Sequence, residues 1–158
     1  MEADLQIVEI YTDGACRGNP GPGGYGVVLI AGGRRKELSQ GFRQTTNQRM
    51  EMMAVIAALE ALKQPAQVRL FTDSKYVQNG ITSWVKRWVL NGWKTTNKRP
   101  VKNRDLWEQL LRLTGRHSIE WKWLKGHAGH RENERCDELA NKASREGNLK
   151  VDAGFIGK

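Results

Sequence analysis

At 158 residues, 39% of them apolar and 27% charged, the chain is expected to form one folded domain, too apolar for a disordered polymer and large enough to bury a core without disulfides or structural metal. The acidic start Met1-Glu2-Ala3-Asp4, followed by an apolar run over residues 5–11 only, fits neither a secretion signal nor a membrane span. A cytoplasmic protein with Cys16 and Cys136 as free thiols is therefore expected, and the net charge of +9 asks where its excess lies.

Residues 5–13 alternate, with Val8, Ile10 and Thr12 on one face, and predict a strand ending at Asp13. Gly14, Gly18, Asn19, Pro20, Gly21, Pro22, Gly23 and Gly24 then read as a tight connection that cannot be helical. Residues 25–31 and 36–44 predict two further strands joined at Gly32-Gly33, which makes a three-strand antiparallel meander. Thr45 and Gln48 fit a capping box that opens a helix, and Met50, Met53, Ala54, Ala57, Ala58, Ala61 and Leu62 recur at helical spacing until Pro65.

Residues 67–73 predict a fourth strand, parallel to the first because a helix separates them. A helix is expected over 75–91, then a basic, turn-rich loop to Lys102, a helix over 103–114, a strand over 118–124, a loop over 125–130 and a helix over 132–145. The order is that of an α/β sheet with helices on both faces, in one domain spanning 1–146, with a flexible tail over 147–158.

Two strand ends repeat one pattern, Tyr11-Thr12-Asp13-Gly14 and Phe71-Thr72-Asp73-Ser74. Ligand sites in open sheets gather outside the carboxyl ends of parallel strands, which is where Asp13 and Asp73 are expected. Glu51 lies early in the first long helix beside its apolar face, and Asp137 sits at the edge of the stripe Cys136, Leu139, Ala140 and Ala143. Each acid alone has an ordinary structural reading as a turn cap or a solvated helix residue. Brought together, four carboxylates would raise one another's pKa unless cations neutralised them, and oxygen-only ligation favours Mg²⁺ or Mn²⁺ over Zn²⁺.

No acid occurs between Asp73 and Asp105, whereas Lys75, Lys86, Arg87, Lys94, Lys98, Arg99, Lys102 and Arg104 do, so nearly all the positive excess lies in this one segment. A localised surface for a polyanion is expected there. Phosphate-binding charge beside clustered acids points to metal-assisted phosphodiester hydrolysis.

The segments Tyr11 to Gly26 (YTDGACRGNPGPGGYG), Thr45 to Glu51 (TTNQRME), Phe71 to Tyr76 (FTDSKY), Gly92 to Asn103 (GWKTTNKRPVKN) and Lys125 to Asp137 (KGHAGHRENERCD) resemble ribonuclease H type 1, and the bacterial enzymes closely. The resemblance runs from about residue 7 to 145. It implies a ribonuclease H-like five-stranded mixed sheet, the three-strand meander plus parallel strands, with helices on both faces. It also implies an endoribonuclease (EC 3.1.26.4) that hydrolyses the RNA strand of RNA–DNA hybrids with two divalent ions, Mg²⁺ or Mn²⁺, and leaves 5′-phosphate and 3′-hydroxyl ends.

On this resemblance Asp13, Glu51, Asp73 and Asp137 are the metal ligands, and His127 is an auxiliary catalytic residue for proton transfer or product release. Asn19, Asn47 and Gln48 match positions that contact the nucleic-acid strands near the site, and Thr46 and Asn103 match a pocket for a DNA-strand phosphate. Trp93, Lys94, Lys98 and Arg99 belong to the family's basic handle, with Trp93 the stacking candidate. Val89-Leu90-Asn91 stands where that handle usually carries basic residues, and Lys75 replaces a usual neutral Gln, which partly compensates.

Other readings stay open at this point. Attack by the 2′-hydroxyl would leave cyclic phosphates. Zinc on His127, His130 and Cys136 lacks a fourth ligand. Integrases, transposases and some exonucleases cluster acids on related sheets and would cut DNA, and a passive hybrid-binding module would cut nothing. The expected protein is a monomer with no obligate protein partner and no membrane association.

Overall fold

A computed structural model of the protein describes residues 6–125, 130–146 and 148–155. Its strands are β1 (Gln6–Cys16), β2 (Gly21–Ala31), β3 (Arg34–Thr45), β4 (Ala66–Thr72) and β5 (Ser118–Trp123), which form one sheet in the order β3-β2-β1-β4-β5. The three strands of the meander pair antiparallel, while β1 with β4 and β4 with β5 pair in parallel. The expected mixed five-stranded sheet is the one observed.

The helices are α1 (Asn47–Glu60), α2 (Lys75–Asn79), α3 (Val85–Leu90), α4 (Arg104–Thr114) and α5 (Arg131–Arg145). On one face, α1 and α4 close the main core over Val8, Ile10, Val27, Leu29, Val68 and Leu70. On the other, α5 lies across β1, β2 and β3 and buries Cys136, Ala140 and Ser144. Sandwiched between the sheet and α4, α1 is buried almost all round, so Met52 is fully buried and Met53, expected on the core stripe, only partly.

The glycine-rich stretch differs from its expectation. β1 does not stop at Asp13 but pairs with β2 through Gly14↔Tyr25, Ala15↔Gly24 and Cys16↔Gly23, which leaves residues 17–20 as the turn. The physical reason is clearance: a Cβ at Gly14 would meet the backbone nitrogen of Glu51 at 2.5 Å, and one at Gly26 would overlap the carbonyl oxygen of Cys136. Glycines here let α1 and α5 approach the sheet from opposite sides.

The cap of α1 is Thr46, whose Oγ1 accepts from the Arg49 N–H at 3.2 Å, while Thr45 ends β3 and is buried. The helical run over 75–90 is one path interrupted by a π-helical turn at Gly80–Trp84, where the Trp107 ring lies so close to Gly80 that a side chain would collide. Residues 148–155, expected in a flexible tail, lie against the domain: the Lys150 N–H donates to the Gly41 carbonyl and the Arg43 N–H to the Lys150 carbonyl, both at 2.9 Å, and Asp152 is buried.

Candidate active site

β1 and β4 run side by side as far as the pair Tyr11↔Phe71 and then part. β1 keeps its other partner, with Asp13 opposite Gly26, whereas β4 ends at Thr72. Asp13 and Asp73 therefore flank the point where the two parallel strands separate, on the face that carries the Tyr11 and Phe71 rings, stacked at 4.5 Å.

α1 enters this crevice beside Gly14 and brings Glu51 next to Ser74, whose side chain hydrogen-bonds to it. Asn47 Nδ2 donates to Glu51 Oε1 at 3.3 Å, and the Asn47 N–H donates to Asn19 Oδ1 at 3.1 Å, so the turn at 17–20 is tied to the same acid. From the opposite face, α5 supplies Asp137, whose Oδ1 accepts from Asn141 Nδ2 at 3.1 Å and whose carboxyl group hydrogen-bonds to Asp13.

The electrostatics record this convergence. Burial pushes the Asp13 carboxyl up to about 9, with the neighbouring charges of Asp73 and Asp137 adding to it; the Gly14 N–H, donating to Asp13 Oδ1 at 2.9 Å, works the other way. Burial raises Glu51 to about 7, against the Ser74 hydrogen bond and with help from Asp73. Burial thus favours the protonated form of the Asp13 carboxyl at neutral pH. Among the described residues no three acid, histidine or cysteine side chains already close into a metal cage.

The other expected site residues fall into two neighbouring regions. Asn19, Thr46, Gln48 and Asn103 line one cleft of about 650 Å³. Asn103 precedes α4 in a left-handed conformation, φ 62°, and its side chain does not cap the helix. Instead its Oδ1 accepts from Arg49 Nη1 at 3.1 Å and its Nδ2 donates to the Tyr76 hydroxyl at 3.0 Å. Lys75 is exposed one residue beyond Ser74.

Lys94, Lys98 and Arg99 are exposed on a compact arm over 93–101, held by Thr95 N–H to the Arg99 carbonyl at 2.8 Å and by Val101 N–H to the Trp93 carbonyl at 3.2 Å. Trp93 is half-buried between Trp88, at 6.3 Å between rings, and the Arg104 guanidinium, 5.4 Å from its ring centre. Leu90, 85% exposed, and Val89 stand at the end of α3 beside this arm.

His127 lies outside the described residues. Cys136, considered as a zinc ligand, is buried and its thiol donates to the Tyr11 carbonyl at 3.2 Å, which commits it to the contact between α5 and β1. Sequence reasoning missed Arg49, Tyr76, Asp105 and Asp152, the polar scaffold of the Asn103 cleft. The one available signal was an arginine inside an otherwise apolar helix stretch.

An α/β sheet whose parallel strands diverge around clustered carboxylates, beside a strongly basic arm, defines a nuclease-type site. The RNase H family matches residues 5–145, and the chain belongs to that family. A ribonuclease H of Vibrio vulnificus (strain YJ016) is 64% identical over 137 residues, covering 87% of this chain and 88% of that protein.

Solved structures agree in fold. LC9-RNase H1, described as a type 1 RNase H with the type 2 active-site motif, superposes with a TM-score of 0.82 at 32% identity, over 100% of this chain and 80% of its own. LC11-RNase H1, solved in complex with an RNA/DNA hybrid, gives a TM-score of 0.58 at 26% identity, over 86% and 95% of the two chains.

Proposed function

We propose that the protein is an endoribonuclease that hydrolyses the RNA strand of RNA–DNA hybrids with two divalent cations, Mg²⁺ or Mn²⁺, and leaves 5′-phosphate and 3′-hydroxyl ends. The observation that carries this reading is the meeting of Asp13, Glu51, Asp73 and Asp137, from β1, α1, the end of β4 and α5, in one crevice. Family membership and the hybrid-bound relative support the substrate.

The donor set fits such ions. All four groups offer oxygen, and Asp13 and Glu51 are held above the ordinary carboxylate range by burial and by each other's neighbours, a state that a cation would relieve. Asp13, Glu51, Asp73 and Asp137 would hold the ions, which when bound supply Lewis acidity for attack by water and for the leaving 3′ oxygen.

The protein's own groups do the positioning. The hydrogen bonds from Asn47 to Glu51 and Asn19 lock the 17–20 turn to the acid cluster, and this turn faces the substrate backbone. Asn19, Asn47 and Gln48 contact the strands beside the scissile bond, while Thr46 and Asn103 take a DNA-strand phosphate. Lys75, at the start of α2, and Lys94, Lys98 and Arg99, on the 93–101 arm, hold phosphates farther along, with Trp93 the stacking candidate of that arm. His127 serves as the auxiliary residue for proton transfer or product release. Recognition through backbone and 2′-hydroxyls gives little dependence on base sequence.

Residues 1–146 are the catalytic domain in this reading, which acts as a monomer in the cytoplasm without an obligate protein partner. Among the described residues no helix is long and apolar enough to cross a membrane. A substrate panel tests the reading: with Mg²⁺, cutting is expected in the RNA of a hybrid and not in double-stranded RNA or DNA. Cutting of duplex DNA would assign the site to the integrase-like class, and binding without cutting to a passive module.

A further inference from the structure

The C-terminal strap 148–155 reaches the cleft through a buried ion-pair relay. Lys150 pairs with the outer strand beside Gly41 and Arg43, and Asn148 offers its carbonyl to Gln40 Nε2 at 2.9 Å. The chain then turns inward, so that Asp152 is only 6% exposed. Its Oδ2 accepts from Thr45 Oγ1 at 2.8 Å and from Arg49 Nε at 2.7 Å, and its Oδ1 accepts from Arg49 Nη2 at 3.0 Å.

Arg49 has no donor left over. Its Nη1 donates to Asp105 Oδ1 at 3.0 Å and to Asn103 Oδ1 at 3.1 Å, and its Nη2 also donates to Asp105 Oδ2 at 2.7 Å. A guanidinium carries five N–H groups, and all five are used. The position of Asn103 therefore depends on where two carboxylates hold the fork. Asp105 sits beside Asn103 on α4 and is half-exposed, whereas Asp152 comes from the strap and is buried.

The same strap forms part of the cleft wall: Gly154 and Phe155 line it with Asn19, Thr46, Gln48 and Asn103. Gly154 packs directly on the relay, since a Cβ there would overlap Asp105 Oδ2 and come within 2.7 Å of Arg49 Nη2.

We propose that the strap is a working wall of the hybrid-binding cleft and that Asp152 is a positioning residue, acting through Arg49 to set the Asn103 carboxamide against a DNA-strand phosphate. This rests on the hybrid-cleavage reading above. With Oδ1 fixed by Arg49 and one Nδ2 proton taken by Tyr76, the second Nδ2 proton has a defined direction. Without Asp152, Arg49 swings toward Asp105, its only remaining carboxylate, and takes the Asn103 acceptor with it.

The test compares wild type with Asp152→Asn on hybrids in which single DNA-strand phosphates are replaced by neutral methylphosphonates. For wild type, one such replacement is expected to raise KM about tenfold, the value of one charge-assisted contact. Asp152→Asn is expected to show a similarly raised KM on the unmodified hybrid, kcat within about twofold, and little further penalty from that replacement. Gly154→Ala, which keeps both carboxylates but pushes on the strap, is expected to move KM in the same direction and serves where Asp152→Asn does not fold.

A full methylphosphonate penalty in folded Asp152→Asn or Gly154→Ala, or an unchanged KM in either, would overturn the strap's role while leaving the nuclease reading intact. No hybrid cleavage by wild type would overturn both.

Discussion

Asp13 and Asp137 meet on one face of the sheet: Asp13 projects from β1, where β4 leaves it, toward α5, the helix laid across that face, which brings Asp137 to a hydrogen bond between the two carboxyl groups. Two carboxyl groups in contact repel once both ionise. The fold holds them there because α5 is anchored independently, by Cys136 and Ala140 over glycines of β2.

Held above the usual carboxylate range by burial, Asp13 must take up a proton on folding at neutral pH, and Asn, neutral at every pH, removes that cost. In metal-free buffer at neutral pH, Asp13→Asn is expected to be more stable than wild type by roughly 1–3 kcal/mol, while cleavage falls at least about a thousandfold. Thermal melts in EDTA and single-turnover cleavage measure the two effects. A destabilised variant would show that Asp13 is tied by attraction instead.

The raised carboxyls of Asp13 and Glu51 also fix the sign of the pH dependence. Groups that bind protons more tightly when folded stabilise the fold below the usual carboxylate range near pH 4, and that contribution is lost as pH rises through about 7 for Glu51 and about 9 for Asp13. Metal-free protein is therefore expected to lose stability between about pH 5 and 9. Mg²⁺ competes with those protons, so its increase in Tm should be larger at pH 8 than at pH 6. An equal increase at both would place the ion elsewhere.

Arg49 and Asp152 are 2% and 1% exposed at their side chains, a fully buried pair. Asp152→Ala strands half of the guanidinium and is expected to cost about 3–5 kcal/mol of folding stability, read from urea denaturation. A loss below about 1 kcal/mol would mean that Asp105 alone satisfies the charge.

On the basic arm, Lys94 is exposed beside a bridge to Pro100. Lys94→Ala should weaken hybrid binding at low salt and flatten the slope of log affinity against log salt by about one unit, with kcat little changed. An unaltered slope would remove Lys94 from the phosphate contacts.

Most of the fold was legible from period and punctuation. The alternation before Asp13 and the apolar run before Asp73 report burial on one side, which sequence displays directly, whereas the helical spacing after Thr46 gave the helix but not its burial almost all round between the sheet and α4. The stretch 14–24 was misread because glycine signals turn and close approach alike, and only the helices overhead decide between them. The tail was misread for a different reason: Asp152 looks like any solvated acid until Arg49, more than a hundred residues away, is seen to need a partner. The four acids were found through the repeated Thr-Asp strand ends and the family resemblance, whereas the Arg49 relay leaves no periodic trace.

Divalent-cation cleavage of RNA paired to DNA at the carboxylate crevice can be tested directly. The most direct measurement is cleavage of a hybrid labelled on both strands, with Mg²⁺ or EDTA, by wild type and Asp73→Asn, with the product ends mapped. The expected result is Mg²⁺-dependent breaks confined to the RNA, carrying 5′-phosphate and 3′-hydroxyl ends and lost in Asp73→Asn. Cyclic phosphate ends, cutting that persists in EDTA, or full activity of Asp73→Asn would contradict it.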